Sequence, residues 1–519
     1  MTIANNPIPG GWRSDPSVLR VGQTYYMATS TFEWMPGINL FESDDLVHWT
    51  QLPSALDDTK IDLEGIESAC GVWAPNLTWK DGTFYLVYTI VQTARYRFKD
   101  THNYIVTAKN MHGPWSNPVY LHSIGFDPSI FHDDDGQSYL VSQTMEHRTN
   151  LNRFQGVTIQ PLNLFTLTLK DKPHIIFSGT SRGTTEGPNM MKKDGWYYLT
   201  VAEGGTEFGH CVTLARSKNL FGPYEVDPCN PLLSSTGTSC PLQRAGHGQF
   251  FSDPQGNWYL AHLCSRPFEG KWSILGRECA IQNIDWPCGE WPHLTGNIQN
   301  FAPALTYTVP TISENLLTHE SETISFNKGL PIDWMTLRRC TAHCGISFNG
   351  NTGVMHITGG NSLCSNFRQH LAARRITSIH FSASVQMHFS PRCANHMAGL
   401  VCIYNNDNWH YLAMSRDEIG YTLTLTTCEN GELTDHCVER LPNECSAIIL
   451  FVSANEGYLH FGFETGAKKC VMQYSADLRI LSDEHVRGNG FTSAMIGLCC
   501  QDLQGDEVSA DFDNFSYHE

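Results

Sequence analysis

The sequence predicts an all-β chain: a five-bladed β-propeller over residues 1–305, a linker over 306–325 and a jelly-roll-like β-sandwich over 326–519. Three observations carry this. One phrase recurs five times in the first part, nothing between the recurrences has helical spacing, and beyond residue 326 the texture shifts to strict two-residue alternation.

The five segments are "DPSVLRVGQTYYMATS" from Asp15, "PNLTWKDGTFYLVYT" from Pro75, "DPSIFHDDDGQSYLVSQ" from Asp127, "GPNMMKKDGWYYLTVAE" from Gly187 and "HGQFFSDPQGNWYLAHL" from His247. They start 60, 52, 60 and 60 residues apart. Each opens on a small or turn-forming residue, runs into a short apolar strand, turns through a glycine and returns along an aromatic-rich strand. That is a hairpin. A further strand-like stretch follows most of them, as in "NYIVTAKN" (103–110) and "HCVTLARSKN" (210–219). Three or four strands per repeat make a propeller blade, whereas a solenoid of this period needs helices.

The second part begins after "NFAPALTYTVPTISEN" (300–315). "IHFSASVQMHF" (379–389) and "YTLTLT" (421–426) alternate apolar and polar residues, the mark of half-buried antiparallel strands. "AIILFVSANEGYLHFGFETG" (447–466) reads as a hairpin turning at Asn455–Gly457. Together these predict a sandwich.

Composition narrows the function. With 34 basic against 52 acidic side chains the formal charge is −18, which argues against nucleic acid and anionic membranes as partners. No apolar run is long enough to span a bilayer and the start lacks a secretory layout, so the expected location is cytoplasmic. The 18 cysteines are scattered without a paired CxxC set, and are expected to be reduced and inert.

The first strand of a propeller blade lines the central channel, so the residues opening these strands converge at one mouth. Asp15 and Asp127 share that slot in blades one and three, Glu186 stands just before it in blade four, and His247 fills it in blade five. Blade two offers Trp73 and Ala74. A single Asp before Pro reads as a turn opener. Three acids at equivalent positions read as a site, because like charges brought together cost energy. "HDDDG" (132–136), by contrast, reads as a solvated hairpin bend rather than a calcium loop.

Two carboxyl groups across a sugar-sized pocket can hydrolyse a glycosidic bond, one protonating the leaving oxygen and the other activating water. A third acid and a cation split their protonation states. Arg277 in "LGRECAIQ" is the candidate cation, and Phe32, Trp34, Trp73 and Phe126 are the candidate aromatic walls.

At these residues the sequence resembles glycoside hydrolase family 43, in its β-xylosidase branch. "SDPSVLRVGQTYYMATSTFEWMPG", "GVWAPNLTW", "GFDPSIFHDDDG", "TEGPNM", "AEGGT" and "LGRECAIQ" match that branch in order and spacing, and the likeness runs along nearly the whole chain. The resemblance implies Asp15 as general base, Glu186 as general acid, and Asp127 as the residue that orients the acid and raises its pKa. It implies Phe32, Trp73, Thr206, His247 and Arg277 around the terminal sugar, and Met495 of "FTSAMIG" (491–497) where an aglycone-facing Phe is expected. The stretch between Arg266 and Arg277 is shorter than in typical members. The implied activity is exo-acting, inverting release of β-D-xylose from 1,4-β-xylo-oligosaccharides. The readings kept beside it are α-L-arabinofuranosidase activity, main or bifunctional, and a non-catalytic sugar-binding propeller. No cofactor is required. A divalent cation, Ca2+, near His247 is the one metal left open, and the family implies a homo-oligomer, dimer or tetramer.

Overall fold

The computed structural model describes every residue except 95–96, 296–300, 311–322, 443–444, 446 and 467. Among the described residues the secondary structure is all strand apart from three short 3₁₀ turns. Among these residues no helix is long and apolar enough to cross a membrane.

Five antiparallel sheets form the propeller, and each repeated phrase supplies the first two strands of one sheet. Blade one is Ser17–Val21, Thr24–Thr29, Asn39–Ser43 and Thr50–Leu52. Blade two runs Gly71–Lys80, Thr83–Thr93, Asp100–Ala108 and Val119–His122. The first strands of blades three, four and five are Ser129–His132, Glu186–Lys193 and Gln243–Ser252. The glycine turns work as the sequence predicts. Asp81 and Gly82 have φ of 50° and 73°, and Asp194 and Gly195 have 50° and 72°, the left-handed pair that a two-residue hairpin needs.

Separate apolar clusters seal neighbouring blades. Tyr85, Val87, Ile105, Ile130 and Leu140 lie between blades two and three, and Val212, Leu214, Leu260 and Ala280 between four and five. Toward the axis, the second residue after each slot is polar and the five form a belt. Asn76 donates to Asn189 Oδ1 at 2.9 Å and accepts from the Ile130 amide at 3.1 Å, Ser129 donates to the Pro188 carbonyl at 2.6 Å, and Gln249 accepts from the Val18 amide at 3.0 Å. Ser17 accepts from the Leu77 amide at 2.9 Å. Strand groups that face the axis are thereby satisfied across blades rather than left bare.

The N-terminus closes the ring. Thr2–Asn5 pairs with Thr306–Val309, so the stretch read as linker begins with a strand, and its residues 311–322 lie outside the described residues. Asn6 exchanges hydrogen bonds with Ile281 at 2.8 and 2.9 Å, Ile8 N donates to Cys279 O at 2.8 Å, and Arg13 N to Arg277 O at 2.9 Å. The segment leading to Asp15 is therefore stitched to blade five.

The second part is two antiparallel sheets packed face to face. In Phe381–Phe389 the burial alternates residue by residue, with Phe381, Ala383, Val385, Met387 and Phe389 inward. Ala447–Asn455 and Tyr458–Thr465 form the expected hairpin, turning through Glu456 and Gly457 at φ of 51° and 79°.

The sandwich is welded to the propeller by a strand the sequence did not reveal. Trp34–Met35, in the "FEWMPG" stretch, pairs antiparallel with Trp334–Leu337 at the edge of a sandwich sheet. Trp34 is 1% exposed and Met35 0%, in one core with Leu337, Val401, Trp409 and Cys499. Burying each such side chain is worth about 1.5–3 kcal/mol. Trp34 is thus an interdomain core residue rather than a pocket wall. Its neighbour Phe32 is held by paired bonds with Val72, 2.9 Å in both directions, beside Gly71, where a Cβ would lie 2.3 Å from the Phe32 oxygen.

Candidate active site

The slot residues have an unusual backbone. Asp15, Asp127 and His247 have φ of 57°, 52° and 53°, and Gly187 has 57°. Side chains rarely occupy this left-handed region, and Asp tolerates it better than most. In blades two, four and five the register of the first strand also slips at the slot, between Trp73 and Asn76, Glu186 and Asn189, and Gly246 and Gln249. In blade four the acid stands one position before the slot, at the residue where this slip begins.

These residues line one cavity of about 240 Å³ at the channel mouth. Asp15, Asp127 and Glu186 all face it, as do Phe32, Trp73, Thr206, His247 and Arg277. The acids do not bond their own turns, as simple turn openers would. Asp15 Oδ2 accepts from Ser30 Oγ at 2.6 Å, while its Oδ1 lies 3.2 Å from His247 Nδ1 and 3.6 Å from Arg277 Nη1. Asp127 Oδ2 accepts from the Gly187 amide in the next blade at 3.0 Å, which ties it to the backbone beside Glu186.

Their protonation states diverge. Burial alone would raise the Asp15 pKa, but the Arg277 charge and the hydrogen bonds from His247 and Ser30 outweigh it and hold this carboxyl well below the usual carboxylate range. Burial raises Asp127 to about 6, with repulsion from Asp15 adding to it and His247, the Gly187 amide and Lys99 opposing. Glu186 is pushed highest, to about 8, by burial and then by Asp127, against the pull of Lys99, His247 and Arg277. His247 is raised despite the opposing effect of its burial, because Asp15 accepts its proton and all three acids favour its charge. One cavity thus contains an ionised carboxylate, a protonated carboxyl and a third acid between them.

The walls are aromatic. Phe32, Trp73 and Phe126 follow one another, with ring centroids 6.2 Å apart for the first pair and 5.5 Å for the second. Phe491 completes the wall from the sandwich, 5.9 Å from Phe32 and 5.4 Å from Trp73, with the Arg277 guanidinium 4.8 Å above its ring.

Met495 does not belong to this wall. It is 0% exposed in the interdomain core, where it opens the strand Met495–Asp502 between Arg375 and Ile403. The phrase "FTSAMIG" does reach the pocket, but through Phe491, which lies in the loop before the strand. Sequence reasoning also passed over Lys99, Phe154 and His210 as lining residues. Lys99 Nζ sits 4.8 Å from the Phe126 ring centroid and 5.1 Å from that of Trp73. His210 is 2% exposed, its two ring nitrogens have no partner among the described residues, and burial leaves it neutral with a pKa lowered to about 3. The sequence signal for it is a polar residue immediately before the third strand of blade four, Cys211–Ser217.

The residues around His247 do not fit the Ca2+ that the sequence left open. Calcium takes six to eight oxygen ligands, whereas His247 Nδ1 faces Asp15 and its Nε2 packs against Gly187, where a Cβ would lie 2.9 Å away. Among the described residues no group of three or more His, Cys, Asp or Glu is arranged to hold a metal.

Comparison with known proteins agrees with this geometry. The profile of glycosyl hydrolases family 43 matches residues 4–292, and that of a β-xylosidase C-terminal concanavalin A-like domain matches 324–518. A β-xylosidase of Bacillus subtilis (strain 168) is 37% identical over 99% of this chain and 99% of its own. A xylosidase/arabinosidase 43B of Humicola insolens is 38% identical over 100% of this chain and 98% of its own. Among solved structures, a xylan β-1,4-xylosidase from Bacillus halodurans C-125 superposes with a TM-score of 0.96 at 40% identity, covering 99% of this chain and 100% of that one. With a two-domain match end to end and a carboxyl trio gathered at the channel mouth, the chain belongs to glycosyl hydrolases family 43.

Proposed function

We propose that this protein is an exo-acting xylosidase that releases terminal β-D-xylose from 1,4-β-xylo-oligosaccharides with inversion. The observation that carries the reading is the split in protonation within one cavity: Asp15 kept ionised beside Arg277, and Glu186 kept protonated to about pH 8. Asp15 takes a proton from water as the water oxygen attacks the anomeric carbon. Glu186 gives its proton to the departing oxygen as the glycosidic bond breaks. Asp127, bonded to the Gly187 amide, holds the backbone at Glu186 and raises the acid's pKa by repulsion.

Phe32, Trp73, Thr206, His247 and Arg277 surround the terminal sugar in this reading. The unpartnered buried nitrogens of His210 and Arg277 Nε suit a ligand rich in hydroxyl groups. Residues 1–305 act as the catalytic unit. Residues 326–519 supply Phe491, and a cavity closed on that side favours chain ends over the interior of a polymer. No cofactor takes part, and imported oligosaccharides in the cytoplasm are the expected substrate pool.

The Humicola relative's name favours a second reading, α-L-arabinofuranoside hydrolysis alongside xyloside hydrolysis. Proton NMR of parallel digestions of xylobiose and a nitrophenyl α-L-arabinofuranoside decides between these readings. α-Xylose as the first-formed anomer supports the proposal, first-formed β-xylose removes inversion, and release only from arabinofuranosides makes the second reading the main one.

A further inference from the structure

Three walls of the cavity are tied to one dipeptide of the sandwich, Asp483–Glu484. Asp483 Oδ2 accepts from Arg244 Nη1 at 2.8 Å, and Arg244 Nε donates to the carbonyl of Thr206 at 3.0 Å. Asp483 Oδ1 accepts from the Tyr404 hydroxyl at 2.6 Å, and that hydroxyl accepts from the Thr492 amide at 3.3 Å, next to Phe491. Glu484 accepts from Arg244 at 3.0 Å and from both the amide and the hydroxyl of Ser273, at 2.6 and 2.8 Å, in the loop that leads to Arg277. The Arg244 and Asp483 side chains are 4% and 1% exposed.

The Thr206 wall has little restraint of its own, and the Phe491 wall is otherwise held at its carbonyl, by Trp12 Nε1 at 3.1 Å and Arg277 Nη2 at 3.4 Å. Thr206 follows Gly204 and Gly205, with φ of 80° and 76°, the pair least restrained by its own side chains. A Cβ on Gly204 would lie 2.1 Å from the Gly209 carbonyl, so this freedom cannot be removed by substitution. Phe491 sits in a loop outside any strand. Burying an ion pair is a poor way to gain stability, because desolvation offsets the attraction. A buried pair that joins two domains at the rim of a cavity is better suited to fixing geometry.

We propose that Asp483, Glu484 and Arg244 are positioning residues through which the sandwich sets the width of the sugar cavity, holding Thr206 on one side and Phe491 on the other. The inference rests on that cavity being the xylosyl site. Asp483 is also open to titration. Burial raises its carboxyl to about 6, with Glu484 adding to this and Arg244, Tyr404 and Arg277 opposing, so acid should loosen the clasp.

The test uses the full chain with Asp483→Asn and, as a gentler cut of the Phe491 arm alone, Tyr404→Phe. For nitrophenyl β-xyloside, Asp483→Asn should raise KM about tenfold with kcat within threefold, and weaken competitive inhibition by xylose in parallel. Tyr404→Phe should raise KM about threefold. Asp127 titrates in the same range and is common to both enzymes, so the clasp is read from the difference: below about pH 6 the KM of wild type should climb more steeply than that of Asp483→Asn. Hydrogen exchange at the Thr492 amide and across residues 204–210 should quicken about tenfold in Asp483→Asn. The exchange measurement needs no substrate, so it reports on the clasp even if xylosides are not hydrolysed, an outcome that would overturn the xylosidase reading instead. Unchanged exchange, or an active Asp483→Asn enzyme with wild-type KM and xylose inhibition, overturns the inference.

Discussion

Glu186→Gln tests the electrostatics of the site without requiring turnover. In the folded chain burial, and then Asp127, keep this carboxyl protonated to about pH 8, whereas an unfolded chain loses the proton near about 4.3. Between these values the folded state binds more protons than the unfolded one, so stability falls as pH rises. The contribution is complete below the unfolded pKa and is lost as pH climbs through the folded value of about 8. At pH 7 a difference of this size amounts to about 4 kcal/mol. Glu186 keeps part of its surface open to the cavity, and solvent screening reduces the figure to about 1–2 kcal/mol. Glutamine has nearly the same shape and no proton to lose. The variant should match wild type near pH 4.5 and exceed it by about 1–2 kcal/mol at pH 7. Urea titrations followed by tryptophan fluorescence at several pH values between 4.5 and 8 measure this. A midpoint difference that is independent of pH, or a variant less stable at pH 8, would refute the assignment of Glu186 as the buried protonated acid.

Glu186→Ala should cut hydrolysis of xylobiose by about 10²–10⁴ while sparing nitrophenyl substrates, whose leaving group needs little protonation; equal losses on both would remove its role as proton donor. Arg277→Met should move the acid limb of the kcat/KM profile upward, because Asp15 loses the strongest of the groups that lower its pKa, and an acid limb that stays put would contradict this. Phe491→Ala should raise KM for xylobiose about tenfold through loss of a cavity wall, and an unchanged KM would mean that the sandwich does not contact the bound sugar.

The propeller was legible because its information is local. Turn chemistry at Asp81–Gly82 and Asp194–Gly195 and the aromatic return strands repeat within a few residues of one another, and one repeat calibrates the next. The acids were legible because the repeat assigned Asp15 and Asp127 a common slot. What escaped depends on contacts distant in sequence. Nothing around Trp34 tells that its partner is Leu337. Met495 and Phe491 share a short phrase, yet one opens a buried strand and the other stands in the loop before it, and alternation assigns faces only inside strands. Lys99, His210 and Arg244 lie outside the repeated phrases. Their importance follows from what the folded ring brings beside them.

The position of the ring closure explains how two aspartates in equivalent slots come to differ. Both carry Asp-Pro-Ser on the same backbone conformation, with φ of 57° and 52°. Asp15 lies at the seam, where the N-terminal segment runs hydrogen-bonded along blade five, and the seam delivers Arg277 and His247 to its carboxylate at 3.6 and 3.2 Å. Asp127 sits inside the ring, where its neighbour is the bulged strand of blade four; it meets a backbone amide and Glu186 instead of a guanidinium. The residue at the seam is therefore driven toward ionisation and the residue inside the ring toward sharing protons with Glu186. A five-fold repeat alone would give every slot the same environment. Closing the ring with the chain's own N-terminus breaks that equivalence: Asp15, the proposed base, is set apart from Asp127, and Glu186, the proposed acid, is left beside the aspartate that has no guanidinium partner and that raises its pKa by repulsion.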